Sequence, residues 1–243
     1  MKLNNKIMST VKSERIPTAT ISGSYGYGWQ QMWKHFLYLF LIAVIVAFAQ
    51  APASMIRDAE QFRSPGMIVL QIIIAVYWLL VLSVINYGAD LLYLRAVRNE
   101  KIDIKEMFDG FKKNYLNIIL ANLLTFAIVG LGFVFLIVPG IILACRLAFV
   151  PYLVMDKNLD PVAAVEKSWE MTKGHGWKIF GMAMLAILVV IAGLLCLIVG
   201  IFFAVIWIST AFASLYYAID LEEQAKLNAN GFHESEADSD SQS

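Results

Sequence analysis

Five stretches of this chain run for about twenty residues almost without charge: 36–56, 67–87, 116–138, 177–199 and 201–219, with Lys178 at the edge of the fourth as the exception. As helices rising 1.5 Å per residue, each is long enough to cross the roughly 30 Å hydrocarbon layer of a bilayer. There the backbone amides must be paired within their own segment, so helix is the only open-ended structure available. A sixth and shorter run, 141–155, is interrupted by Arg146 and Pro151. The reading is therefore an all-α polytopic membrane bundle with spans at 36–56, 67–87, 116–138, 141–155, 177–199 and 201–219.

Composition narrows the function classes. Apolar residues make up 59% of the 243, mean hydropathy is +0.67, and 19 basic side chains cancel 19 acidic ones. Nucleic-acid binding needs a basic surplus that is missing, so no nucleic-acid partner is expected. The two cysteines, Cys145 and Cys196, both fall inside apolar runs, too few for a disulfide framework or a zinc knuckle. No metal site and no cofactor are expected. HExxH, GxSxG and paired acids on one helix face are all missing from the sequence, so no enzymatic activity is assigned. Residues 1–22 are polar and basic, and the apolar run begins too late for a cleavable signal peptide. They read as a flexible cytoplasmic tail, 23–220 as the membrane domain, and 221–243 as a disordered acidic cytoplasmic tail.

Lys and Arg sort the ends of the spans. Lys2, Lys6, Lys12, Arg15 and Lys34 precede the first span; Arg95, Arg98, Lys101, Lys105, Lys112 and Lys113 lie between the second and third. Lys157, Lys167, Lys173 and Lys178 lie between the fourth and fifth, and Lys226 follows the sixth. Only Arg57 and Arg63 fall on the other side, with Arg146 inside a span. Cytoplasmic loops carry the positive excess, which puts both termini in the cytoplasm of a cell with an inner membrane.

Each odd-numbered span is preceded by a candidate surface helix. Trp29, Met32, Trp33 and Phe36 recur at helical spacing, as do Ile104, Met107, Phe108 and Phe111. Asp160-Pro161 supplies an N-cap and a first-turn proline for a third, with Val162, Val165, Trp169 and Thr172 on its stripe. These read as amphipathic helices lying in the cytoplasmic interface, so the membrane domain is three hairpins, each led by one such helix. Residues 111–141 laid over 172–202 match at eight of 31 positions, including Lys112/Lys173 and Gly132/Gly193. An internal duplication and shared membrane composition both account for that match. Pro139 and Gly140 read as one outer turn and Gly200 as the other; Gly132 and Gly193 read as close-packing positions. The run Gly23-Ser24-Tyr25-Gly26-Tyr27-Gly28 lacks the lysine of a phosphate loop and reads as a flexible linker.

The stretch Leu136 to Ile142, then Arg146-Leu147-Ala148, Pro151, Asp160 to Trp169 and Thr172-Lys173-Gly174 resembles the signature of the bacterial YciC-like inner-membrane proteins. A related membrane domain is fused to some glycerophosphodiester phosphodiesterases. The resemblance covers about residues 105–220 and implies a proline-glycine turn, a short helix, and a surface helix holding Ser168 and Trp169 and ending at Gly174. It departs at Glu170, where relatives often carry a basic residue, and it leaves activity open.

Arg146 is the one clear charge inside a span, where insertion scales make it cost roughly 2.5 to 3.5 kcal/mol. Counting from an outer turn at Pro139 puts it roughly 10 Å below the outer interface, level with Gln71, Tyr77 and Trp207. That set is the candidate anion or lipid contact; the plain alternative is a structural arginine satisfied by an aromatic ring or a freed carbonyl. The expected role is a membrane-embedded accessory or scaffold protein of the cell envelope, in contact with membrane lipids and with a possible partner membrane protein. A transporter or lipid-handling protein is the rival.

Overall fold

The structure is a computed structural model that describes residues 17–54, 65–195 and 197–240. Polar caps and apolar faces set its first element. Thr20 caps helix α1, Ile21–Lys34, by accepting a hydrogen bond from the Gly23 amide. The glycine-rich run expected as a flexible linker is thus the first two turns of this helix. Close approach explains its composition: a Cβ on Gly28 would lie 2.8 Å from the Ala211 nitrogen, and Tyr25 and Ser24 are buried. At His35 the chain bends by 96° into α2, Phe36–Ser54, which leaves α1 across the end of the bundle and α2 along it.

Residues 55–64, including Arg57 and Arg63, lie outside the described residues. The second span runs as one long helix, α3 (Pro65–Tyr77) and α4 (Ser83–Val97), joined by a π-helical turn over Trp78–Leu82. Exposure changes across that turn. Ile68 to Val76 are mostly exposed, as a lipid-facing helix requires, whereas Leu82 to Val97 are almost all buried.

Asp103 caps the next element, Ile104–Phe111, which is a 3-10 helix and not the expected α-helix. With three residues per turn, Met107 and Gly110 fall on one buried row. Phe108 and Phe111, placed on the stripe by α-helical spacing, stay partly exposed. Gly110 fits because a Cβ there would reach 2.8 Å from Ile118 and 2.9 Å from Val84.

The third span is α5, Tyr115–Phe135, and the turn after it corrects the sequence reading. The break falls at Leu136, extended at φ −164° and ψ 152°, three residues before Pro139. Pro139 and Gly140 lie inside the first turn of α6, Ile137–Arg146, where a missing amide hydrogen costs nothing. The fourth span continues after a short break as α7, Val150–Asp156. Asp160 caps α8, Pro161–Met171, through the Ala163 amide, as its sequence indicates. The fifth span is α9, Gly176–Leu195. Only residue 196, outside the described residues, separates it from α10, Leu197–Asp240, so Gly200 is a helical residue and not the turn itself. Helix α10 also runs on through residues expected to be disordered.

Both hairpins close on glycine. A Cβ on Gly132 would lie 2.9 Å from the Gly140 Cα, and one on Gly193 would lie 2.7 Å from the Gly200 carbonyl oxygen. Neither pair leaves room for a side chain, as small residues between membrane helices imply. Each surface element in turn packs on the even-numbered span of the unit before it. Met107 of the 3-10 helix meets Gly88 of α4, Ser168 of α8 bonds the Arg146 carbonyl, and Gly28 of α1 meets Ala211 of α10. The last of these joins the third unit to the first, so the three units close in a ring.

Among the described residues five helices are long and apolar enough to cross a membrane, and the α1–α2 pair, taken as one span, brings the number to six. The core is lopsided along them. Leu92, Leu94, Phe149, Leu153, Leu215 and Tyr216 are fully buried near the end that carries α1, the 3-10 helix and α8, the polar end. At the opposite tips Val134 and Leu195 are about 80% exposed.

Candidate functional site

The polar end holds an ion network that sequence reading did not find. Arg98, the residue after α4, donates to Asp156 at the end of α7, Nη1 to Oδ1 at 2.6 Å and Nη2 to Oδ2 at 2.8 Å. Its Nη2 also lies 3.6 Å from Asp220 of α10. Lys157 donates to Asp220 at 2.5 Å, Gln224 donates to the other Asp220 oxygen at 2.9 Å, and the Tyr216 hydroxyl donates to Asp156 at 3.3 Å. The Arg98 guanidinium lies 5.4 Å from the centroid of the Tyr217 ring. Burial works against the Arg98 charge, but the Asp156 carboxylate outweighs it and holds the guanidinium above its ordinary value. Two cations and two carboxylates thus fasten the ends of the second, fourth and sixth spans to one another. The sequence signal was faint: Asp156 and Asp220 are the first charges after apolar runs, and Arg98 and Lys157 are ordinary basic residues at span ends.

Arg146 lies elsewhere. It ends α6, and its guanidinium sits 5.2 Å from the centroid of Trp169 on the surface helix α8. The aromatic contact expected for it is present, though with Trp169 in place of the level neighbours counted from Pro139. Ser168 and Thr172 donate to the Arg146 carbonyl at 2.8 and 3.3 Å, and Ser168 accepts from the Phe149 amide at 3.3 Å. The α6–α7 break is therefore satisfied by α8 side chains. Gly174, at φ +82°, ends the turn after α8 in the left-handed region that glycine enters without strain.

The other members of the expected set do not join Arg146. Gln71 is exposed on α3. Tyr77 donates its hydroxyl to the Ala49 carbonyl at 3.0 Å. Trp207 donates Nε1 to the Tyr25 carbonyl at 3.0 Å and packs edge-on against Trp29, with ring centroids 4.9 Å apart. Trp207 stands at the repeat-equivalent position of Arg146, and each meets a tryptophan of the next surface helix. These contacts set Arg146 against α8 and leave Gln71, Tyr77 and Trp207 in other surroundings.

Arg146 lines a cleft of about 530 Å³ between α6 and α9. Ile141, Ile142, Trp177 and Phe180 supply apolar walls, and Gly176 stands at the α9 N-terminus. No carboxylate lines it. The Arg146 guanidinium donates no hydrogen bond among the described residues, and its Nη1 is buried without a partner. Among the described residues no three His, Cys, Asp or Glu side chains converge to hold a metal ion.

These features define an all-α, multi-pass membrane protein. Comparison with protein-family models, with curated proteins and with solved structures finds no match to the chain.

Proposed function

We propose that this chain is a non-enzymatic accessory or scaffold protein of a prokaryotic cytoplasmic membrane, of the YciC-like kind, with both chain ends in the cytosol. Charge placement carries the orientation. The described Lys and Arg residues, from Lys34 through Arg95, Arg98 and Lys113 to Lys157 and Lys178, gather at the polar end, and the opposite tips at 133–138 and 190–195 carry none. A positive excess on one face favours the cytosol for that face.

The Arg98–Asp156–Asp220–Lys157 network supports the scaffold role, because it fixes three spans where a transporter would need them to move. Single cysteines introduced into a cysteine-free background test both parts. At Lys112 and Lys173 they should react with an impermeant thiol reagent only from the cytosolic side. At Ala121 and Ala211, fully buried in the bundle, they should stay unlabelled from either side. Labelling at the two alanines through a water path would replace the scaffold with a transporter, and labelling of position 112 from outside would reverse the orientation.

A further inference from the structure

We infer that the cleft between α6 and α9 binds one anionic phospholipid, its phosphate on Arg146 and an acyl chain along the apolar walls. This rests on the chain being a membrane protein and is independent of the scaffold reading.

An arginine with five N–H donors and no acceptor is an unusual thing to keep inside a membrane domain. Trp169 offsets part of the cost through its ring face, but a ring accepts no ordinary hydrogen bond. The donors still need oxygen, and within the cleft no protein side chain offers a carboxylate. A phosphate matches the planar fork of a guanidinium through two parallel bonds.

A second group of donors belongs to residues that line the same cleft. The Lys178 and Ile179 amides are both taken by the His175 carbonyl, whereas the Gly176 and Trp177 amides come before any acceptor within α9. Gly176 and Trp177 line the cleft with Arg146. The N-terminus of a twenty-residue helix adds partial positive charge at the same place.

The remaining walls choose the source of the phosphate. Ile141, Ile142 and Phe180 bring hydrocarbon to the cleft. Ile142 is 52% exposed and Trp177 85%, so the opening faces the surroundings of the bundle, at the level where tryptophan marks a membrane interface. Free phosphate would leave those apolar walls uncovered. A diacyl phospholipid covers them and supplies the anion together.

Native mass spectrometry of the full chain, stripped of lipid in mild detergent, tests the site. The probes are phosphatidylglycerol, phosphatidylcholine of the same chains, and inorganic phosphate. The wild type should hold one phosphatidylglycerol about tenfold more tightly than phosphatidylcholine. Arg146→Gln should bring the two lipids level. Ile142→Trp, which fills the cleft and leaves Arg146 in place, should weaken the retention of both. Inorganic phosphate should neither bind nor displace the lipid at equal concentration. Undiminished preference in a folded Arg146→Gln chain, undiminished retention in Ile142→Trp, or displacement by phosphate alone would each overturn the proposal. Should Arg146→Gln fail to fold, Ile142→Trp alone decides. The cysteine labelling above fails or succeeds separately, so the two readings stay distinguishable.

Discussion

Arg98 and Asp156 meet through two parallel charge-assisted hydrogen bonds although 58 positions separate them, and the pair joins the ends of the second and fourth spans. Both side chains are about 15% exposed, so water replaces little of what either would lose. Asp156→Ala leaves Arg98 with the longer contact to Asp220 and the ring of Tyr217. The expected cost is about 3 kcal/mol, the range for removing one partner of a buried pair. Arg98→Met combined with Asp156→Leu should recover much of that loss. Thermal unfolding in detergent measures both, and a single substitution as stable as the wild type would mean the network holds nothing together.

A glycine at a crossing and a glycine in the open predict opposite effects of substitution. Gly193→Val places new atoms against the Gly200 carbonyl oxygen and the Ala204 Cβ, which a Cβ alone would approach to 2.7 and 2.8 Å. Forcing the helices apart should cost about 1 to 3 kcal/mol. Gly130→Ala, two residues from the Gly132 crossing, meets nothing within 4 Å. It should be neutral or add up to about 1 kcal/mol through helix propensity. Unfolding midpoints of the two variants, compared in one detergent, check the contrast.

How much of this was legible follows from period and length. Apolar runs near twenty residues define spans whatever the neighbours are, so α5, α9 and the long second helix appear close to where the runs lie. Asp160 and Pro161 specify a helix start locally, and α8 begins there. What escaped depends on contacts distant in sequence. Gly23 to Gly28 looks like a linker until Ala211 requires glycine on a helix face. The 104–111 stripe fits an α-helix until Val84 and Ile118 close on Gly110 and select the tighter 3-10 row. Pro139 misled because proline suits a first helical turn as well as a break, and only the extended Leu136 tells them apart. Arg98, Asp156 and Asp220 are ordinary span-ending residues in one dimension; the closure of three units is what brings them together.

His35 predicts acid sensitivity. Burial, and then the neighbouring Lys34 charge, hold its pKa below the usual histidine value, while Asn99 acts in the opposite sense. The folded chain keeps this ring neutral over a range in which the unfolded chain takes up a proton. Its contribution to stability is therefore whole above about pH 6.5 and declines as the pH falls below that value. Unfolding temperatures at pH 7.5 and 5.5 should differ more in the wild type than in His35→Gln. Equal differences would remove His35 as the source.

Past Asp220, α10 leaves the bundle fastened, among the described residues, by two ion pairs: Lys167 to Glu223, and His175 Nε2 to Glu222 at 3.4 Å. Lys167 and Glu223 are each about a quarter exposed, so the pair is worth at most about 1 kcal/mol and weakens as salt rises. Global stability should barely register its loss; local opening should. Lys167→Ala combined with His175→Gln is expected to lower the unfolding temperature by about 2 °C or less. Cleavage by trypsin after Lys226 should nevertheless speed up several-fold, since proteolysis follows the population of the locally opened state. Raising salt toward 1 M should produce the same acceleration in the wild type and little further change in the double variant. If cleavage at Lys226 is equally fast in both chains at low salt, these side chains do not hold the helix, and packing of Tyr216 and Ile219 ends the ordered bundle by itself.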